Sequence, residues 1–359
     1  MASIEKPLNK LIKLVHVDSF LRMFLSQYFI LILSILIFLV MWPVNPNIAS
    51  PRALMNILEN LLPLFIIAIG QMYVLIIGDG GIDLSQPSII GMTSVIGAIF
   101  LTNSVNELKL GSSVLWGTLL GPDGGPFANS PLATPVAILI MIIIGVLIGS
   151  INGFCIAKFK MPPFMVTLVT KELFLYIAIW LTQSFNITGL PDSFIEIGRG
   201  SIWTIPYVLI IAAVMGVIAS IILKRTVLGK WLYATGINSR TARVSGVPTN
   251  RVIIFAYAFS GFCCAVGSII YSGRLLQGSP TLCRAMLLDI IGATVIGGTS
   301  MFGGRGRVSG VLIGCLFFAL MGTVLNLLRL SPFIINMVKG LFILTVALLD
   351  VIRLRRSES

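Results

Sequence analysis

Long runs of apolar residues alternate along this chain with short polar segments. A run of about 20 apolar residues is long enough to cross a bilayer as an α-helix. The eighth such run is short, rich in glycine and carries Asp289, and we interpret it as a full crossing that can contain a broken helix. The pattern predicts an all-α polytopic membrane protein with ten spans, at 21–42, 54–78, 84–102, 131–157, 164–184, 203–223, 251–272, 285–301, 307–328 and 332–352.

The composition supports the membrane prediction. Of the 359 residues, 57% are hydrophobic and 11% are charged, whereas soluble domains carry about 25% charged residues. The predicted organisation is an N-terminal segment at 1–20, a transmembrane domain at 21–352 with a polar loop at 224–250, and a C-terminal tail at 353–359. The five cysteines lie mostly in or beside apolar runs, without metal-ligand spacing, so we expect reduced packing residues and no metal site.

The positive charges predict an orientation. The net charge is +12, but the basic residues are spread over short loops, so we expect no nucleic-acid partner. Of the 25 Lys and Arg residues, the ten-span topology puts 17 on the side of both termini and 6 on the other. Because cytoplasmic loops are enriched in Lys and Arg, both termini are predicted to be cytoplasmic.

Two glycine-rich stretches join apolar runs on the predicted cytoplasmic side. The first is GDGGIDLSQPS, at 78–88, in which Gly80 and Gly81 allow tight turns while Asp83 and Ser85 can cap the next helix. It is therefore either a tight capped turn or a broken-helix element that lines a substrate path. The second is VIGGTSMFGGRGR, ending at Arg307. The pair indicates either an internal repeat, as in transporters, or close helix packing through small residues.

Four blocks of sequence carry a resemblance to a known family. They are GGIDLS (80–85), MPPFMVTL (161–168), ATGINSRTARVSGV (234–247) and LDIIGATVIGGTSMFGGRGRVSGVLIG (288–314). Together they resemble the permease subunits of bacterial ABC importers for monosaccharides of the ribose/xylose/galactoside type, within the branched-chain amino acid/sugar permease superfamily. The resemblance runs over roughly 54–350. It implies a type II importer-like permease in the bacterial inner membrane, which moves a monosaccharide or similar small polyol by alternating access.

The resemblance also implies partners. The chain contains no Walker A pattern, so it is expected to be a non-catalytic subunit, with ATP and Mg bound by a separate ATPase that has two nucleotide-binding domains. A secreted sugar-binding protein and a second permease chain complete the implied assembly. The loop at 224–250 would hold a coupling helix, with Asn238 capping a short helix over 239–245. Without a partner, the same loop is a basic segment that fixes orientation. The implied coupling residues are Gly236, Asn238, Thr241, Ala242, Arg243, Ser245 and Gly246.

Polar side chains within apolar spans are candidates for the substrate path. Lys171 and Glu172 are adjacent and are not expected to share a helix face, so each is predicted to need another partner. Asp289 can pair with Arg284. The path candidates are Gly80, Gly81, Asp83, Ser85, Asn56, Asn60, Gln71, Thr167, Thr170, Lys171, Glu172, Asp289, Thr294, Thr299 and Ser300.

Other functions stay open from the sequence. The same machinery can carry a sugar-derived signal molecule, a nucleoside or a branched-chain amino acid. An ion-coupled carrier is a different class, and it would need buried acids, for which Glu172 and Asp289 are the candidates.

Overall fold

The computed structural model describes residues 27–103, 124–127 and 130–357. The predicted N-terminal segment at 1–20, the start of the first span and most of the loop at 103–130 lie outside these residues. The described chain is mainly helical, with only two short strands, which confirms the predicted all-α class. Its helices are α1 (Gln27–Val44), α2 (Pro51–Ile76), α3 (Gln86–Leu101), α4 (Ala133–Phe159), α5 (Pro163–Thr182), α6 (Asp192–Arg199), α7 (Tyr207–Arg225), α8 (Val227–Ile237), α9 (Ser239–Val244), α10 (Thr249–Leu275), α11 (Leu287–Ile296), α12 (Val308–Leu327) and α13 (Pro332–Ser357).

The remaining regular structure is short. Two-residue strands β1 (Ser201–Ile202) and β2 (Ile205–Pro206) pair antiparallel after α6. Single 3-10 turns occupy Pro46–Ala49 and Arg284–Met286. Helix α13 continues to Ser357, through most of the predicted tail at 353–359, and the boundary between span and tail stays a prediction.

Six helices of the described chain, α2, α4, α5, α7, α10 and α12, are long and apolar enough to cross a membrane. Shorter apolar stretches lie in α1, α3 and α13. The eighth predicted span, 285–301, contains no single helix long enough to cross a membrane, and its full crossing as a broken helix stays a prediction. Its helix α11 has only 10 residues, about 15 Å, against a hydrocarbon core of about 30 Å. It ends at a pair of glycines, and the second, Gly298, has a φ of +86°, which stops the helix there.

Helices α2 and α10 form the centre of the bundle. Every residue of α2 from Leu61 to Ile76 is buried, as expected for a helix that is apolar on all sides. Helix α4 packs closely against α10 through small residues. A Cβ added at Gly149 of α4 would lie 2.2 Å from the carbonyl oxygen of Tyr257 in α10. Because glycine has no side chain, the two helices can approach each other this closely.

The two ends of the bundle differ. One end holds the last turn of α2, helices α8 and α9, and the start of α10 and α12, and we call it the α9 end. The opposite end holds the start of α2 and α13 and the end of α10 and α12. Helix α10 therefore runs from the α9 end to the opposite end, and α2 and α13 run the other way.

Helix α3 begins inside the bundle rather than at its surface. Its first residue, Gln86, is hydrogen-bonded to Ser260, which lies about 16 Å along α10 from Thr249. The coil between α2 and α3 thus returns into the bundle, where non-helical backbone must be covered by protein or line a cavity. A second coil, 276–286, follows α10 and meets α3, with Gly91 packed against the carbonyl of Pro280.

The internal repeat suggested by the two glycine-rich stretches stays a prediction.

Candidate functional site

A carboxylate in the coil before α3 anchors a buried hydrogen-bond network. Asp83 is fully buried. Its Oδ1 accepts hydrogen bonds from the backbone N–H of Ser85 (3.0 Å) and from the Ser85 hydroxyl (2.5 Å). Its Oδ2 accepts from the Ser260 hydroxyl of α10 at 2.7 Å. Three donors around one carboxylate compensate for its removal from water.

The network continues through four more helices. Gln86 of α3 donates to Ser260 (2.9 Å), and Asn152 of α4 donates to the Ser85 hydroxyl (2.9 Å). Thr170 of α5 donates to Oδ1 of Asn152 at 2.7 Å. With its amide oriented to satisfy its neighbours, Gln71 of α2 donates to Oε1 of Gln86 at 3.1 Å. The coil before α3 is therefore tied to α2, α3, α4, α5 and α10, and we call these groups the polar network.

The polar network gathers several predicted path residues inside the bundle. Gln71, Asp83, Ser85 and Thr170 belong to it, and Thr167 donates to the carbonyl of Ile82 in the same coil at 3.1 Å. All five are buried. Whether they contact a substrate in another conformation stays a prediction.

The predicted capping of α3 is only partly right. Ser85 is the N-cap residue, but its hydroxyl makes no cap hydrogen bond, because it is used by Asp83 and Asn152. Asp83 instead accepts from the N–H of Ser85 itself. Pro87 lies in the first turn of α3, where a missing backbone N–H leaves no helical hydrogen bond unmade. Gly80 has a φ of +71° and open space around it, whereas Gly81 is packed against the carbonyl of Val74.

Four glycines bring the two glycine-rich stretches and α8 into backbone contact at the α9 end. A Cβ added at Gly236 in α8 would lie 1.8 Å from the carbonyl oxygen of Ile76 and 2.5 Å from the nitrogen of Gly304. A Cβ at Gly303 would lie 2.5 Å from the Cα of Gly78. The N–H of Gly304 donates to the carbonyl of Ile76 at 2.9 Å. We call Gly78, Gly236, Gly303 and Gly304 the glycine junction.

A tyrosine strengthens this junction. The hydroxyl of Tyr233 in α8 donates to the carbonyl of Gly306 at 2.7 Å. Burial raises the pKa of Tyr233, against the opposing charge of Arg307, and the hydroxyl is a donor at neutral pH, as any tyrosine hydroxyl is. Helix α8 is thus attached by side chain and by backbone to the stretch that precedes α12.

Helix α9 is a capped helix that ends in an exposed apolar side chain. Asn238 caps it by accepting from the N–H of Thr241 at 2.9 Å, which confirms the predicted cap. Val244, the last residue of α9, is 86% exposed, and Ile237, the last residue of α8, is 76% exposed. Arg243 donates from its guanidinium to the first turn of α10, including the Thr249 hydroxyl at 3.3 Å. The helix is held at its base and presents apolar surface outward.

The other coupling candidates lie on the same segment. Ala242 is the buried residue of α9, and its N–H donates to the carbonyl of Asn238 at 2.9 Å. The N–H of Ser245 donates to the carbonyl of Thr241 at 3.0 Å. Gly246 has a φ of +86°, so it turns the chain after α9. Their contact with a partner stays a prediction.

One face of α5 forms an open groove. It is lined by Leu168, Glu172, Tyr176 and Trp180 among other residues and has a volume of about 640 Å³. The expectation that Lys171 and Glu172 need separate partners is wrong. Their charged ends meet at 3.2 Å, because two long side chains can bend towards each other even from adjacent positions. Tyr176 and Trp180 are both exposed in this groove.

The acid of α11 pairs with the last helix. Asp289 does not form the predicted alternative pair with Arg284. Its carboxylate contacts Nζ of Lys339 in α13 at 2.7 Å and 2.8 Å.

The two asparagines of α2 were also path candidates. Asn60 accepts a hydrogen bond from the guanidinium of Arg274 at 2.9 Å, and Asn56 is exposed.

The remaining candidates of the eighth run differ in their hydrogen bonds. Thr294 is buried and donates to the carbonyl of Ile290 within α11 at 2.6 Å. The Thr299 hydroxyl is buried and has no hydrogen-bond partner among the described residues. Ser300 accepts from the N–H of Phe302 at 3.2 Å, inside the loop.

Sequence reasoning missed several residues that the fold uses. Gln86, Asn152 and Ser260 complete the polar network, Tyr233 supports the glycine junction, and Lys339 pairs with Asp289. Asn152 and Lys339 could have been identified from the sequence, because each is a polar residue inside an apolar run. Ser260 carried little, because a single serine is common in helices that pack closely.

Comparison with known proteins gives consistent matches. Residues 53–347 match a family model described as the permease component of a branched-chain amino acid transport system. The ribose import permease protein of Haemophilus influenzae is 34% identical over 92% of this chain and 94% of its own. That of Bacillus subtilis is 34% identical over 85% and 87%. The L-arabinose transport system permease protein of Escherichia coli is 32% identical over 56% and 61%. No solved structure matches the chain.

Proposed function

This chain belongs to the family of branched-chain amino acid transport system permease components, and from that premise we propose that it is the transmembrane subunit of an ATP-driven importer of a monosaccharide. It is a transport subunit rather than an enzyme. The choice of a sugar is supported by the ribose and arabinose permeases among its relatives. In this proposal, ATP and Mg bind to a partner ATPase with two nucleotide-binding domains.

The proposed orientation puts the α9 end in the cytoplasm. Positive charge supports this, because loops and helix ends at the α9 end carry most of the basic residues, among them Lys160, Arg225, Lys230, Arg240 and Arg251. Positive residues are retained preferentially on the cytoplasmic side. A binding protein would then deliver sugar at the opposite end, and a second permease chain would complete the assembly in the bacterial inner membrane.

Helix α9 is the proposed docking element for the ATPase. It is short, capped by Asn238, held at its base by Arg243, and exposes Val244 at the surface. An exposed apolar side chain on a firmly held helix can be buried by a partner with little loss of conformational entropy.

The glycine junction carries the proposal. It joins α8, which leads directly into α9, to both glycine-rich stretches through backbone contacts. Because backbone atoms meet backbone atoms there, a displacement of α8 cannot be absorbed by a side chain rotating away. A movement of the ATPase would therefore reach α2 and the stretch before α12, which lead into the spans. The predicted path residues remain candidates within this mechanism.

Two experiments test the proposal. The tagged chain is purified in detergent from its native membrane, and co-purifying proteins are identified by mass spectrometry. We expect an ATPase with two Walker A motifs and a secreted sugar-binding protein. The purified assembly in proteoliposomes should then import D-ribose or L-arabinose only with ATP. Recovery of the chain alone, with uptake that survives without ATP but stops when the ion gradient is removed, would contradict the proposal.

A surface variant makes the docking test specific. Val244→Glu places a charge on the exposed face of α9, and we expect the ATPase to be lost from the purified assembly. Trp203→Glu is the matched control, because Trp203 is also an exposed apolar residue, 95% accessible, but lies between β1 and β2 at the opposite end. Equal recovery of the ATPase with both variants would contradict docking through α9.

A further inference from the structure

A polar cavity lies between α2, α10, α11, α12 and α13 near the opposite end of the bundle. Its volume is about 240 Å³, which leaves room for a molecule the size of a monosaccharide. Lys339 lies about 10 Å from the start of α13, and Asn60 lies about 14 Å from the start of α2. The cavity therefore lies in the half of the bundle that is proposed to face the binding protein.

Hydrogen-bonding groups of both kinds line this cavity. Asp289 and Lys339 bring a carboxylate and an ammonium group. Asn60 uses its Oδ1 for Arg274, which leaves its Nδ2 as a donor. Asn326 uses its Nδ2 for the carbonyl of Gly322, which leaves its Oδ1 as an acceptor.

A tyrosine and an apolar wall complete the lining. Tyr271 is a buried residue that lines the cavity. Phe318 and Leu64 form an apolar side of the same cavity. Sugars have hydroxyl groups that both donate and accept, together with C–H groups that pack on apolar and aromatic surfaces. A lining with mixed donors and acceptors beside one apolar wall matches this chemistry.

The charges of the cavity favour a neutral ligand. The carboxylate of Asp289 contacts the ammonium group of Lys339 through both oxygens, so the two charges offset each other. A free cation would have to compete with this ammonium group, and a free anion with this carboxylate. A neutral polyol can instead hydrogen-bond to the outer lone pairs and N–H groups of an intact pair.

We propose that this cavity is a binding site for one monosaccharide on the permease itself, on the side where sugar arrives. The proposal rests on the proposed import function and adds to it the place where the chain holds its cargo. The α5 groove is the competing position. Its named lining comes from a single helix and is mainly apolar, with Glu172 as its charged residue, so it offers fewer hydrogen-bonding groups to a polyol.

Cysteine protection tests the proposed site in the full importer. Gly322→Cys places a thiol on the wall of the cavity, where an added Cβ meets nothing within 4 Å among the described residues. Cys155 and Cys283, the two native cysteines of the described chain that are not fully buried, are first replaced by serine. The importer in proteoliposomes is labelled with a membrane-impermeant methanethiosulfonate. Separate reactions contain D-ribose, L-arabinose, or glycine betaine at equal osmolarity.

We expect at least one of the two sugars to slow labelling at Gly322→Cys more than threefold, while glycine betaine leaves the rate unchanged. Glu172→Cys reports on the α5 groove and should be labelled at the same rate with and without sugar. Protection at Glu172→Cys alone, or at neither position, while wild-type importer still takes up the sugar with ATP, overturns the inference and leaves the import function standing. Protection at Gly322→Cys without ATP-driven uptake supports the site and contradicts the import function.

A pair of double variants separates binding from folding. Asp289→Asn with Lys339→Gln removes both charges together, so no unpaired buried charge is left. We expect this variant to need at least tenfold more sugar for half-maximal protection, with an unchanged melting temperature. The matched control, Lys171→Gln with Glu172→Gln, removes the ion pair of α5 and should keep wild-type protection. Equal protection in both double variants would overturn the inference.

Discussion

The substitution Gly236→Ala adds one methyl group to the glycine junction. Its Cβ would lie 1.8 Å from the carbonyl oxygen of Ile76 and 2.5 Å from the nitrogen of Gly304. Both neighbours are backbone atoms, so α8 must move away from α2 and from the stretch before α12. Overpacking of this kind costs about 1–3 kcal/mol, and the same movement strains the hydrogen bond between Gly304 and Ile76.

Helix propensity opposes this effect only in part. Replacing a helical glycine by alanine stabilises a helix by roughly 0.5–1 kcal/mol. The two ranges leave a net penalty of about 0–2.5 kcal/mol on the junction, and the middle of that range, about 1.2 kcal/mol, changes the population of the intact junction about eightfold. We therefore expect the variant to assemble with its ATPase but to import less sugar for each ATP hydrolysed.

The assay compares import and ATP hydrolysis in the same proteoliposomes. Gly340→Ala is the matched control, because Gly340 is also a helical glycine and an added Cβ there meets nothing within 4 Å in the described chain. A gentler variant is Tyr233→Phe, which removes only the hydrogen bond to Gly306 and costs about 1 kcal/mol. If Gly236→Ala has the same import per ATP as Gly340→Ala, force is not transmitted through the junction.

Three further substitutions have expected outcomes. Asp83→Asn should lower the melting temperature, because an amide nitrogen cannot accept the hydrogen bond from Ser260 and a bond to a charged group contributes about 1.5–3 kcal/mol. The control is Asp79→Asn, at an exposed aspartate three residues before Ile82, which should leave the melting temperature unchanged. Equal melting temperatures of the two variants would contradict the role of the polar network. Asn238→Ala should destabilise α9 by about 1 kcal/mol and reduce co-purification of the ATPase, whereas Asn238→Ser keeps a capping oxygen and should retain it; loss with both variants would show that capping is not the cause. Thr299→Val should keep or raise the melting temperature, since it removes a buried hydroxyl without a partner in the described chain, and a clear fall would reveal a hydrogen bond that this conformation lacks.

The family and the class of transport were predictable from the sequence because they depend on local patterns. Apolar runs identify membrane helices from length and composition alone. The helix cap at Asn238 was predictable because a capping side chain acts within three residues of its own position. Gly78 and Gly80 adopt the positive φ that glycine permits, because backbone sterics are local, whereas Gly81 of the same stretch does not.

The contacts between distant segments were decided only by the tertiary structure. Asp83 and Ser260 are separated by 177 positions along the chain, yet they share a hydrogen bond, and no local pattern links them. Gly236 and Ile76 meet only because α8 packs under the end of α2. The short helix α11 also shows that composition alone does not determine the structure. Its apolar composition resembled a span, but glycines ended the helix and Asp289 found its partner on α13. Composition fixes which segments enter the membrane, whereas the packing of helices against each other fixes which polar groups meet there.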